Sequence, residues 1–144
     1  MKESDTGFGK EIEQFAAQML ENNGYHVTRM SQNFAYDLLI EDLVKIDVKA
    51  SRLYQGPQGA FYSFGITKNY MTCDFYLLFC LNENKELQKY YLIPSVDVFD
   101  KKQISIGENR SKYDCYKDTL CDLPDYIAFL AGKRKLSKEG LTHG

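Results

Sequence analysis

The chain has 144 residues, enough for one domain with a substantial core and short for two. At 44% hydrophobic and 26% charged, without a low-complexity tract, it is excluded from the disordered and fibrous classes. A formal net charge of −2 excludes a global attraction to nucleic acid and leaves room only for a local basic groove.

No apolar run approaches the roughly 18–20 residues that a membrane span needs, so no membrane partner is expected. The opening Met-Lys-Glu-Ser-Asp lacks the apolar stretch of a secretory signal, and a cytoplasmic location is expected. The cysteines Cys73, Cys80, Cys115 and Cys121 form no CxxC pair, and only His26 and His143 could join them. Reduced thiols, rather than a zinc site, are expected.

In chain order, Asp5 and Thr6 are candidate N-caps for a helix running to about Asn23, with Gly24 as its stop. Ile12, Phe15, Ala16, Met19 and Leu20 give that helix one apolar stripe. Residues 25–30 read as a strand. Residues 36–49 alternate apolar and polar positions on either side of a short polar break, which predicts a hairpin turning at Asp42. With Ile40 opposite Val44 and Leu38 opposite Ile46, Asp37 falls opposite Asp47; a one-residue slip would destroy the match of faces.

Residues 51–59, with Gln-Gly-Pro-Gln-Gly, read as a loop. Residues 60–66 are a strand candidate, and the apolar run 74–81 reads as a central strand covered on both sides. A polar turn at 82–86 leads to a partner strand over 88–93, ended by Pro94. Residues 104–106 suggest a short edge strand. Residues 123–131 suggest a short helix closed by Gly132, and Lys133, Arg134, Lys135 and Lys138 a basic, flexible tail. The expected fold is α/β in the mixed α+β sense: a central, mostly antiparallel mixed sheet flanked by helices. One domain over 1–132 and a tail over 133–144 are expected.

The chemistry-bearing residues lie in the first half. Two carboxylates directly across a strand pair repel, so Asp37 and Asp47 call for a compensating cation. Lys49 projects on the same face as Asp47. On the first helix, Glu13 has Ala16, Ala17 and Leu20 at i+3, i+4 and i+7, the edge of a small-residue face that can approach a sheet closely. Glu11 points elsewhere. The competing account of both glutamates is service to the helix dipole, and that of Asp47 and Lys49 is a charged, solvated strand face.

Gly9-Lys-Glu-Ile-Glu13, then Leu20, Gly24-Tyr25, Asp37 and Asp47-Val-Lys49, resembles the core of the PD-(D/E)XK nucleases, a superfamily of restriction endonucleases, junction resolvases and repair enzymes. The resemblance covers roughly residues 7–51, with a compatible strand pattern to about Ile93. The proline that names the motif is absent, since Tyr36 precedes Asp37. The resemblance implies a restriction-endonuclease-like core in which Glu13, Asp37 and Asp47 bind Mg²⁺, for which Mn²⁺ can substitute. Lys49 then orients or activates the attacking water. The glycine-to-glutamate spacing favours Glu13 over Glu11. It further implies that the partner is DNA, and that two copies can work as a homodimer.

Arg52, Gln55 and Gln58 follow the catalytic strand, and Lys68 and Asn69 sit in a later loop, positions from which a phosphate backbone could be held. The expected activity is metal-dependent hydrolysis of DNA phosphodiester bonds by an endonuclease. The rival is a non-catalytic DNA-binding or assembly protein that keeps the fold.

Overall fold

The computed structural model describes residues 2–66 and 71–143, with side chains over 9–66 and 71–134. A long helix α1 (Lys2–Asn22) is followed by β1 (Val27–Arg29), β2 (Leu38–Ile40) and β3 (Val44–Arg52). Then come β4 (Tyr54–Gly56), β5 (Gly59–Gly65), β6 (Phe75–Leu81), β7 (Leu87–Pro94), β8 (Gln103–Gly107) and helix α2 (Asp122–His143). Five strands form a central sheet in the order β1-β2-β3-β6-β7; β4, β5 and β8 form a second, antiparallel sheet. In the central sheet β3 and β6 run parallel and every other neighbouring pair is antiparallel. This is an α/β fold with mixed sheets flanked by helices, the architecture of a restriction-endonuclease-like core.

Two apolar layers sandwich the central sheet. On one face Ala16, Ala17 and Leu20 of α1 meet Leu38, Ile40, Val44, Ile46, Leu77 and Phe79, with Leu123 of α2 completing the layer. The alanines let α1 approach closely, and each fully buried Leu, Ile or Phe contributes about 1.5–3 kcal/mol. On the other face Tyr76, Leu78, Cys80, Tyr91 and Ile93 pack on Tyr62, Phe64, Ile104 and Ile106 of the second sheet. β6 is buried along its whole length because both layers cover it. A buried lysine ties the two sheets together: Lys89 on β7 donates to the carbonyls of Gly107 (2.9 Å) and Glu108 (3.2 Å), with its ammonium over the Tyr62 and Tyr91 rings.

The hairpin register is the expected one, Ile40 opposite Val44 and Leu38 opposite Ile46. Its turn passes through Glu41 and Asp42, both at positive φ, and the Glu41 carboxylate accepts from the His26 amide at 2.7 Å. Three elements differ from the sequence reading. α1 begins at Lys2, ahead of Asp5 and Thr6. Most of the expected 51–59 loop is strand, because Tyr54 pairs with Phe61 and Gln55 with Ala60. α2 runs on through Gly132 to His143 instead of stopping. No described helix is long and apolar enough to cross a membrane.

Candidate functional site

β3 carries Lys45, Asp47, Lys49 and Ser51 on the face turned toward the second sheet, where the Ser51 hydroxyl accepts from the Ser63 amide of β5 at 3.0 Å. Val44, Ile46, Val48 and Ala50 face α1. The hairpin ladder stops at Leu38–Ile46. Asp37 gives its amide to the Ile46 carbonyl (3.0 Å), and its carboxylate accepts from the Val48 amide (2.7 Å). The ladder pairing of Asp37 with Asp47 that the alternation predicts is therefore not formed; the two meet through their carboxyl groups instead. Asp47 pairs with Lys49, Oδ2 to Nζ at 3.1 Å.

The electrostatics single out Asp37. Burial pushes its carboxyl up to about 7, helped by the charge of Asp47, a hydrogen-bonding contact with it, and the charge of Glu13, while the Val48 amide pulls the other way. Near neutral pH this carboxyl is thus poised between its two forms, and a bound cation would replace the repulsion with attraction. Glu13 is half-buried at the sheet-facing edge of α1, and its Oε1 lies 3.8 Å from the Arg29 guanidinium. Glu11 is exposed and lines an apolar groove with Ile12, Phe15, Phe79 and Leu87, away from the aspartates.

The layer beneath Asp47 is one that sequence patterning does not mark. Asp47 lies opposite Tyr76 in the β3–β6 register. Burial, together with the neighbouring Cys73 and Asp47 charges, pushes the Tyr76 hydroxyl far up. The Cys73 thiol, 3.2 Å from the Ser95 hydroxyl, is raised by burial to about 11. Both groups are neutral at working pH and add no charge to the site. Arg29 is likewise absent from the sequence reading, since nothing in a three-residue strand announces an ion pair to a helix.

Among the described residues, no three or more His, Cys, Asp and Glu side chains are gathered so as to hold a metal ion. What the structure brings together is a carboxylate pair, Asp37 and Asp47, with Lys49 attached and Glu13 close enough to act on Asp37 by charge. The donor set suits Mg²⁺, which takes hard oxygen ligands and keeps several waters, so two carboxylates are sufficient anchors. Of the outlying candidates, Arg52 ends β3, Gln55 lies on β4 and Gln58 in the β4–β5 turn, all exposed. Lys68 and Asn69 lie outside the described residues.

The central sheet with its parallel β3–β6 pair and helix α1 against β3 gives the mixed α/β architecture in which the site is set. The chain matches the structure of a bacterial homing endonuclease, I-Ssp6803I, with a TM-score of 0.57 over 88% of this chain and 93% of that one, at 17% identity. No protein-family model matches the chain, and no curated protein matches it either.

Proposed function

We propose that this chain is a metal-dependent endodeoxyribonuclease that hydrolyses phosphodiester bonds in DNA, acting in the cytoplasm. The observation that supports it most is the Asp37 carboxyl, half-buried against Asp47 and Glu13, beside a lysine 3.1 Å from Asp47. A fold without a use for that repulsion would gain stability by removing it. The fold shared with a homing endonuclease supports DNA as the substrate.

In this reading Asp37 and Asp47 hold Mg²⁺, with Glu13 as the third carboxylate once it leaves Arg29. The chemistry such an ion would supply there is positive charge for a phosphoryl oxygen and a more acidic water. The Val48 amide fixes one oxygen of Asp37, so its other oxygen is the one presented. Lys49, 3.1 Å from Asp47, would orient the attacking water or neutralise the phosphate. Arg52, Gln55 and Lys68 grip the DNA backbone. The domain spans residues 1–132 in this reading.

One observation favours the non-catalytic alternative: Glu13 lies beside Arg29, at 3.8 Å, and does not join Asp37 and Asp47 in a three-acid cluster among the described residues. Incubation with supercoiled, linear and branched DNA, with Mg²⁺ or Mn²⁺ and with chelator, separates the two. Cleavage that needs the metal and disappears in Asp47→Ala and Lys49→Ala supports the enzyme. Folded protein that binds DNA and never cuts it, with either metal, establishes the alternative.

A further inference from the structure

A second surface lies around α2. The helix is anchored by Leu123, Tyr126, Ile127 and Leu130 against the first core layer, and Tyr126 donates to Asp74 at 2.8 Å. Beyond Leu130, residues 131–134 are all exposed. Beside the anchored half runs a cleft of about 580 Å³ whose walls include Met71, Val96, Phe75, Tyr126 and Phe129. Its apolar walls are open to water: Met71 is 51%, Val96 60% and Phe129 62% exposed. Large apolar side chains gathered this way mark a contact surface more often than a random one.

The pattern along α2 says what fits there. Asp122, Tyr126, Phe129 and Lys133 recur at i, i+4, i+7 and i+11, so they form one stripe along the side of the helix that borders the cleft. The stripe has an acid at one end, two aromatics in the middle and a base at the other. Turned end for end, it complements itself: Asp122 falls opposite Lys133, and Tyr126 opposite Phe129. Neither Asp122 nor Lys133 takes part in an ion pair among the described residues. The usual account of Asp122 and Asp125, service to the helix dipole, explains neither the exposed Phe129 nor the open cleft.

We propose that the α2 cleft is an interface for a second copy of this chain, with the two α2 helices antiparallel about a two-fold axis near residues 127 and 128. The axis makes each contact occur twice, so one residue change acts at two places. Phe129 of each copy fills the other's cleft between Tyr126 and the Met71–Val96 wall, and two Asp122–Lys133 pairs close the ends. The nuclease resemblance also implies two copies, but the place and register of this interface rest on α2 and its cleft alone, so its failure would leave the nuclease reading standing.

Sedimentation equilibrium of the full chain tests it. Twice the chain mass is expected at about 100 µM protein, the range of a modest interface. Phe129→Glu should give monomer with an unchanged circular-dichroism melt, since that side chain is exposed. Asp122→Lys and Lys133→Asp should each weaken the dimer by about tenfold, because each creates two like-charge contacts. The double exchange should restore association to near that of the unmodified chain. A chain that stays monomeric at that concentration overturns the proposal. So does a dimer that Phe129→Glu leaves intact, or a double exchange that recovers nothing.

Discussion

Asp37, just before β2, and Asp74, just before β6, each accept a hydrogen bond from a β3 amide, with opposite fates. Asp74 has both carboxylate oxygens engaged: one accepts from the Lys45 amide at 2.8 Å, the other from the Tyr126 hydroxyl at 2.8 Å. Its own amide donates to the Lys45 carbonyl at 2.7 Å. It joins β3 and α2 to the start of β6. Asp37 has one oxygen on an amide and otherwise faces Asp47 and Glu13. The first arrangement stabilises the fold; the second costs stability, and in the proposed function a cation offsets that cost.

Substitutions can break this contrast, and the largest effect falls on activity. Asp47→Ala or Lys49→Ala should lower DNA cleavage by about 10²-fold or more while the melting temperature stays near that of the unmodified chain. Equal loss of both would mean that the pair is structural. Next, Asp74→Ala should destabilise by about 2–3 kcal/mol, read by urea denaturation, because a strand amide and a tyrosine hydroxyl lose their acceptor. DNA cleavage by the molecules that remain folded should persist.

Asp37→Asn sharpens the comparison from the other side. Its carboxyl is raised in the folded chain to about 7 from an ordinary 3.8, so folding is unaffected at low pH, where it is protonated in both states. The penalty grows as pH rises from about 4 and is complete above about 7. In chelator at pH 8 the Asn variant should therefore melt higher, by about 3 °C after allowance for solvent screening, and the gap should close by pH 4. Added Mg²⁺ should raise the melting temperature of the unmodified chain and not that of the variant. The smallest effect belongs to Arg29→Ala, about 0.5 kcal/mol or less, since its pair with Glu13 is long and partly exposed. If Glu13 joins the metal, this variant should bind Mg²⁺ more tightly by calorimetry.

The half of the site that a local pattern can encode was legible in the sequence. Period-two alternation placed Asp47 and Lys49 on one face and aligned Leu38 with Ile46, and the small residues after Glu13 put it, rather than Glu11, at the sheet. Contacts across long stretches of chain left no such trace. The Asp74–Tyr126 bond spans 52 residues, and the one-residue departure of Asp37 from the ladder depends on an amide and a carboxylate meeting at the strand end. Turn residues misled twice. Gly56 reads as loop, yet it is in β4, where a Cβ would sit 2.9 Å from the Phe61 ring. Gly132 reads as a stop, but a helix interior tolerates one glycine at about 1 kcal/mol.

The parallel pairing of β3 with β6 carries a consequence for how the chain reaches its fold. The β2–β3 hairpin joins neighbours in sequence and can form within microseconds. The β3–β6 ladder must wait for residues 53–74 to loop back, and that connection contains both β4 and β5. Non-local pairing of this kind is slow, because the entropy of closing the loop is lost before any contact is gained. The hairpin that carries Asp37 and Asp47 can thus exist as an early, exposed intermediate, while β6, apolar along its whole length, is the segment left without cover. Refolding at high protein concentration should lose material to association through β6 before the second sheet closes over it.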